Sequence, residues 1–275
     1  MTPRQRRSAI GLHLILLPLA LIWLAPLWLM LTYATIPESE FFQPGIPLLF
    51  GHSFVENWRT LLKVTPFGQA MFNSVVTSTL FTVASVFLTS LAGYSFARYR
   101  FFGRNAIFSI VIATMTVPYF VLVIPQFVLV AREFGLTNTW AAVIIPPLFN
   151  SVGVFFMRQN FLSLPQDMLD AARMDGVGEV KIFLFVALPL VLPATAALAI
   201  ILFLQSWNNY LWPLLVLSQP AAQTAPVALG ALVGLDRVYW GAVMVAAVVM
   251  TVPVLIVFLF LQRYFIAGIT AGAVK

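Results

Sequence analysis

Long apolar runs alternate with short polar stretches along the chain, and six of the runs are long enough to cross a bilayer. A helix rises ~1.5 Å per residue, so crossing a hydrocarbon core of about 30 Å takes about 20 apolar residues. The runs that meet this test cover residues 10–33, 68–97, 106–130, 140–160, 187–216 and 239–262, and no Asp or Glu lies well inside any of them. The pattern predicts an all-α integral membrane protein with six transmembrane helices. Residues 1–66 would hold the first helix and an external loop, 67–262 the transmembrane core, and 263–275 a C-terminal tail too polar and Gly-rich to span. The stretch 36–66 is polar and contains prolines, and an interfacial helix is expected over 54–64, bearing Trp58, Arg59 and Lys63.

Lys and Arg fix the orientation. One side of the predicted topology carries Arg4, Arg6, Arg7, Arg98, Arg100, Arg104, Arg158, Arg173, Lys181, Arg263 and Lys275. The other carries Arg59, Lys63, Arg132 and Arg237, a bias of eleven against four among the 15 basic residues. Basic loops stay on the cytoplasmic side, so both termini are expected there, as an even number of spans requires. The acidic residues divide four against five and do not decide the matter.

Composition removes other classes. Only 9% of the 275 residues are charged and 61% are apolar, with a mean hydropathy of +0.97, where a soluble domain carries about 25% charged residues. The net charge of +6 comes from short basic clusters between apolar runs rather than from one stripe, which excludes a nucleic-acid surface. With no cysteine, disulfides and thiolate metal sites are impossible, and His13 and His52 are too far apart in sequence to suggest a metal cluster. The apolar stretch 9–33 is longer than a signal peptide's ~7–15-residue core and lacks a small-x-small cleavage site before Pro37, so it reads as a retained first span. No Gly-rich phosphate loop with its Lys is present, so the chain is not expected to be an enzyme, and any ATP hydrolysis would belong to another polypeptide.

Prolines interrupt the predicted spans: Pro18 and Pro26 in the first, Pro118 and Pro125 in the third, and Pro146 and Pro147 in the fourth. Pro189, Pro193 and Pro213 fall in the fifth, and Pro253 in the sixth. Each removes a backbone donor and tends to kink its helix. Such kinks serve either to line a cavity or simply to pack irregularly, and the sequence leaves both open.

The loop between the fourth and fifth spans carries the most specific signal. Ser163 with Gln166 has capping-box spacing, Pro165 suits a first turn and Gly176 a C-terminal stop, so a short helix is predicted over 165–175. Met168, Ala171, Ala172 and Asp175 would share one side of it. A small-residue face beside a methionine lets another backbone approach and repack. Within the fifth span, Trp207-Asn208-Asn209-Tyr210 is the most polar patch of any apolar run. Polar side chains at that depth face a bundle interior or a wet cavity, and aromatic faces beside amides suit a sugar. The aromatics could equally form an interfacial belt, and the asparagines could act only as glue between helices.

The loop resembles the cytoplasmic loop of ABC importer permeases, which reads Glu-Ala-Ala, three residues, Gly, then about nine residues to hydrophobic-x-Leu-Pro. The matches are Asp170-Ala171-Ala172, Gly176 and Val186-Ala187-Leu188-Pro189, the departure being Asp170 in place of Glu. Asn73-Ser74, Leu91 to Arg98, Phe102-Gly103-Arg104, Trp207 to Pro213 and Leu261 to Lys275 resemble the carbohydrate-uptake members of that family, of the maltose-type second-permease kind. The likeness runs from about residue 70 to the end.

The resemblance implies a permease subunit of a binding-protein-dependent transport system in the bacterial plasma (inner) membrane. Its partners would be a second homologous permease, two ATPase subunits holding ATP and Mg, and an extracytoplasmic solute-binding protein, with no cofactor in this chain. The helix over 165–175, with Asp170, Ala171, Ala172, Arg173, Asp175 and Gly176, would be a coupling helix seated in an ATPase cleft. Trp207, Asn208, Asn209 and Tyr210 would be candidates for the solute path. The outer loop 217–238, with Gln223, Thr224, Asp236 and Arg237, is either a contact for the binding protein or a plain connection. The tail would reach the ATPase interface or end disordered. The solute would be a sugar or sugar derivative, with polyols and glycerol phosphodiesters as alternatives. A stand-alone secondary transporter is a further class, but no intramembrane carboxylate or internal repeat supports it.

Overall fold

The apolar runs all form helices, some continuous through their prolines and some broken. A computed structural model describes residues 3–234 and 237–273, with side-chain surroundings from residue 12 to residue 263. Among the described residues fourteen α-helices follow in order: α1 Pro3–Tyr33, α2 Phe54–Val64, α3 Phe67–Arg98, α4 Arg104–Thr114, α5 Tyr119–Val128, α6 Trp140–Ile144, α7 Ser151–Leu162, α8 Gln166–Met174, α9 Glu179–Ile182, α10 Leu188–Leu190, α11 Leu192–Trp207, α12 Leu211–Val216, α13 Ala225–Gly230 and α14 Trp240–Ala273. Turns of π-helix over Leu129–Glu133 and Phe183–Ala187 continue α5 and α9. Among the described residues the only β pairing is an isolated bridge between Val233 and Val238.

Among the described residues three helical stretches are long and apolar enough to cross a membrane unaided, Leu12–Tyr33, Phe67–Arg98 and Trp240–Arg263. Three others are bent pairs: Arg104–Thr114 with Tyr119–Glu133 at 98°, Trp140–Leu148 with Ser151–Leu162 at 49°, and Glu179–Leu190 with Leu192–Trp207 at 84°. Counting each pair as one span gives up to six by length and composition. The bends fall at Pro118, which caps α5, at the Pro146–Leu148 3₁₀ turn before Asn150, and at Val191 between Pro189 and Pro193. Pro18, Pro26, Pro125 and Pro253 sit inside continuous helices. Two runs expected as single spans are therefore broken, and the run 187–216 is broken twice, since α11 stops at Trp207 and the chain resumes helix at Leu211.

The chain folds as two units. The first comprises Met1–Phe67 with Ala228–Val252. In it α2 takes the residues expected of it, and Asn57 is buried, its Nδ2 donating to the carbonyls of Ala34 (3.1 Å) and Ile36 (2.9 Å). Gly241 lies so close that a Cβ there would stand 2.2 Å from Asn57 Oδ1. Arg237 pairs with Glu38 at 2.8 Å. Asp236 lies outside the described residues, as do residues 274 and 275 and the side chains of the expected tail, although the α14 backbone is helical through Ala273.

The second unit, Gly68–Val227 with Pro253–Lys275, holds the main core. Tyr94, Met157, Phe161, Leu169, Ile182 and Phe183 are buried together. Two glycines bring α3 close to α7. A Cβ on Gly93 would stand 2.8 Å from Arg158 N and Met157 Cβ, and one on Gly153 would stand 2.9 Å from Thr89 Cγ2. These two contacts lie one turn apart on each helix, so α3 and α7 run in the same direction. Small residues that let backbones approach are the usual basis of helix packing in lipid, where no hydrophobic force drives helices together. Leu14, Trp23, Phe87, Ile110, Ile124 and Phe260 are exposed on their helices, the surface expected where lipid is the solvent.

Candidate functional site

Helix α8 begins two residues later than a Ser163 cap would place it. Proline disfavours helical backbone at the residue before it, so the helix starts after Pro165, which serves as N-cap without a side-chain bond. The expected capping box does not form. Ser163 Oγ donates to Asn160 O at 2.7 Å, and Gln166 Nε2 donates to Asp170 Oδ1 at 3.1 Å. The C-terminal stop is a Schellman motif. Gly176 has φ +76°, its N–H reaches Arg173 O at 3.0 Å, and Val177 N reaches Ala172 O at 3.1 Å.

The face predicted for this helix is divided. Leu169 is wholly buried, and Ala172, one turn on, packs against the same core of Phe161, Ile182 and Phe183. Met168, Ala171 and Asp175 are exposed, and Met174 stands 88% exposed beside them. Ala172 therefore anchors the helix while Ala171 faces out.

Charged side chains tie α8 to its neighbours at both ends. Arg98, the last residue of α3, donates to the carbonyls of Phe161 and Leu164 at the end of α7, and through Nη1 to Gln166 Oε1 at 2.9 Å. At the other end Arg173 Nη1 meets Asp170 Oδ1 at 2.7 Å and Arg173 Nε meets Glu179 Oε1 at 2.8 Å. Tyr99 donates its hydroxyl to Glu179 Oε2. The two carboxylates hold the Arg173 guanidinium above its ordinary pKa, Glu179 most strongly, and the Tyr99 phenol is raised by burial first and by Glu179 second. Asp170 thus has an internal task, bridging Gln166 and Arg173 along the helix surface.

A second feature opens at the helix breaks. A cavity of about 740 Å³ is lined by α5, by the α6–α7 break and by the α11–α12 break. Asn208, Asn209 and Tyr210 line it, and Gln126, Asn150 and Gln205 join them from other parts of the unit. Trp207 does not. It is 1% exposed and its ring stacks on Phe203 at 5.6 Å, because the last turn of α11 points that side chain into the core. Trp212, at the cavity edge, donates from its indole to Ala142 O at 2.8 Å. Sequence reasoning missed Gln126, Asn150 and Gln205 because only the folding of separate breaks onto one space makes them neighbours.

The connection after α12 is clamped by two residues at the start of α3. Asn73 Nδ2 donates to Ala221 O (2.9 Å) and Gln223 O (3.0 Å), while its Oδ1 accepts from Trp140 Nε1 (3.1 Å). Ser74 Oγ accepts from Ala225 N at 2.8 Å. Thr224 is buried and Arg237 is taken up by Glu38, so of the residues expected to face a partner from this loop the side chain of Thr224 is turned inward. Among the described residues no group of three or more His, Cys, Asp or Glu could hold a metal ion.

Known proteins share both the sequence and the fold. The model of a family described as binding-protein-dependent transport system inner membrane component matches residues 85–271. The chain is 37% identical over 277 residues to the arabinooligosaccharides transport system permease protein AraQ of Bacillus subtilis (strain 168), covering 100% of this chain and 98% of AraQ. It is 30% identical over 277 residues to the sn-glycerol-3-phosphate transport system permease protein UgpE of Yersinia pestis, covering 98% of each. It also shares its fold with a chain in the crystal structure of a bacterial ABC transporter involved in the import of the acidic polysaccharide alginate. The TM-score is 0.77 over 96% of this chain and 99% of that one, at 24% identity, a likeness of fold alone.

Proposed function

This chain belongs to the family of binding-protein-dependent transport system inner membrane components, and from that premise we propose that it forms half of the path by which a sugar or sugar derivative enters a bacterial cell. A second, homologous permease supplies the other half. Two cytoplasmic ATPase subunits drive the cycle and an extracytoplasmic binding protein delivers the solute. The chain has no phosphate-binding loop of its own, so it converts work done by partners into movement of the membrane helices. The bias of basic residues supports six spans with cytoplasmic termini and α8 on the cytoplasmic side.

The observation that carries this reading is the build of α8. A nine-residue helix with its ends fixed presents Met168, Ala171 and Met174 outward, away from the core that holds Leu169. Exposed apolar side chains on a polar loop call for a protein partner. Arg98 joins α8 to α3 and the end of α7, and Arg173 joins it to the start of α9, so a displacement of α8 is passed to three membrane helices at once. For ATP to drive transport, the contact must favour one state of the permease over the other. Asp170, Ala172, Arg173 and Gly176 serve as the internal frame of this lever, and Ala171 with Asp175 as part of its outer face.

The cavity bearing Asn208, Asn209 and Tyr210 is the solute path in this reading. The name of AraQ, an arabinooligosaccharide permease protein, supports a saccharide here. The test is to purify the chain with its neighbouring permease, ATPase and binding protein and to measure ATPase activity and uptake in proteoliposomes. Solute-stimulated ATPase activity and ATP-dependent uptake by the assembled complex are expected. Uptake by this polypeptide alone would overturn the reading.

A further inference from the structure

We infer that the cavity selects an uncharged saccharide, through a ring of carboxamides from four separate places in the fold. The inference rests on the permease reading and narrows its solute. Gln126 comes from α5, Asn150 from the start of α7, Gln205 from the last turn of α11, and Asn208 and Asn209 from the break that follows. No Lys, Arg, His, Asp or Glu lines the space among the described residues.

The chemistry of the ring fits hydroxyl groups. A carboxamide offers an acceptor oxygen and two N–H donors, and a sugar hydroxyl is likewise both donor and acceptor. Two of the amides are oriented by the backbone. Asn150 Oδ1 accepts from Gly153 N at 2.8 Å and its Nδ2 donates to Gln205 Oε1 at 3.5 Å, while Asn209 Oδ1 accepts from Trp212 N at 3.3 Å, which leaves one N–H of Asn150 and the NH₂ of Asn209 to donate. Exposed faces of Phe120, Phe149 and Tyr210 give the apolar surface against which the C–H face of a pyranose or furanose lies. At about 740 Å³ the cavity is within the range that holds a ligand of drug size, and so a short oligosaccharide.

The same lining disfavours an anion. A phosphate or carboxylate leaving water for a low-dielectric cavity needs a cation or a dense set of donors. The described lining supplies no cation. This half of the path would therefore offer no cation to a solute such as glycerol 3-phosphate or a uronic-acid oligomer, even if a binding protein accepted it.

The experiment uses the complete importer in proteoliposomes, with ATP inside and binding protein outside. Uptake is measured for uncharged trisaccharides built from pentoses or hexoses, for trigalacturonate and for glycerol 3-phosphate. Uptake confined to uncharged probes is expected. With one such probe, Asn208→Asp and Gln205→Glu should each lower uptake about tenfold or more, while Asn208→Gln, which keeps the amide, should lower it less than about threefold. Size-exclusion chromatography of each variant complex separates loss of uptake from loss of assembly. Uptake of the anionic probes as fast as the uncharged ones, or indifference of an assembled Asn208→Asp complex, would overturn the inference and leave the permease reading standing. No ATP-dependent uptake of any probe would contradict the permease reading itself.

Discussion

Arg173 and Glu179 meet at two points, Nε to Oε1 at 2.8 Å and Nη2 to Oε2 at 3.3 Å, and so fasten the end of α8 to the first residue of α9. The left-handed turn at Gly176 makes this possible by folding the chain back between them. Both side chains are partly exposed, at 30% and 46%, so solvent screens the pair and its share of global stability is about 1 kcal/mol or less. In the proposed cycle its importance is mechanical. Arg173→Lys keeps the charge but loses the fork. The variant complex should melt within a few degrees of the parent while uptake per ATP hydrolysed falls several-fold, as read by parallel uptake and phosphate-release assays. An unchanged ratio would remove Arg173 from the lever.

Leu169 has no exposed surface. Leu169→Ala should destabilise the seat of α8 by roughly 2–5 kcal/mol, the usual cost of emptying a core leucine site. Hydrogen exchange over 166–175 should rise sharply, and co-purification of the ATPase should weaken. Met168→Ala, on the exposed face, should leave exchange unchanged.

Gly93 and Gly153 set the distance between α3 and α7. A Cβ at Gly93 would stand 2.8 Å from the backbone nitrogen of Arg158, which cannot rotate away. Gly93→Val should therefore separate the helices and cost about 1–3 kcal/mol or more. Lower yield of folded protein and a lower melting temperature in detergent are the expected readouts, with Gly68→Ala, where a Cβ meets nothing, as the control.

Asn73 makes three bonds that hold the connection after α12 and Trp140. Net hydrogen-bond contributions are about 1 kcal/mol each, so Asn73→Ala should free the segment around 219–225. Limited proteolysis there should accelerate. If that surface receives the binding protein, stimulation of ATPase activity by the loaded binding protein should fall while activity without it stays the same.

Much of this organisation is legible in the order of residues alone. Apolar run length locates the long helices and the bent pairs, and the helix over 54–64 follows from its own pattern, since amphipathic periodicity is a local property. The stop at Gly176 is also local, because only glycine takes φ +76° there without strain. The start of α8 is less legible. Ser163 and Gln166 have the spacing of a capping box, but Pro165 moves the helix start to Gln166 and Arg98, distant in sequence, claims the Gln166 side chain. Trp207 and Asn208 are adjacent in sequence yet face opposite ways, core and cavity, because the helix ends between them. The carboxamide ring is invisible in one dimension, since its members are brought together only when the broken helices fold onto one space.

In the proposed cycle, α8 is pressed by a partner ATPase and carries that motion into the membrane. The chain contains no cysteine, so a thiol introduced as Met174→Cys is its only one, and labelling read on this chain's own band reports on this helix. Residue 174 is 88% exposed in the isolated chain. In the assembled complex, labelling of that thiol by a bulky maleimide should be blocked by the ATPase and should change rate when ATP is trapped in the closed ATPase dimer. Equal, rapid labelling with and without ATPase, in a complex that still imports solute, would contradict a pressed α8.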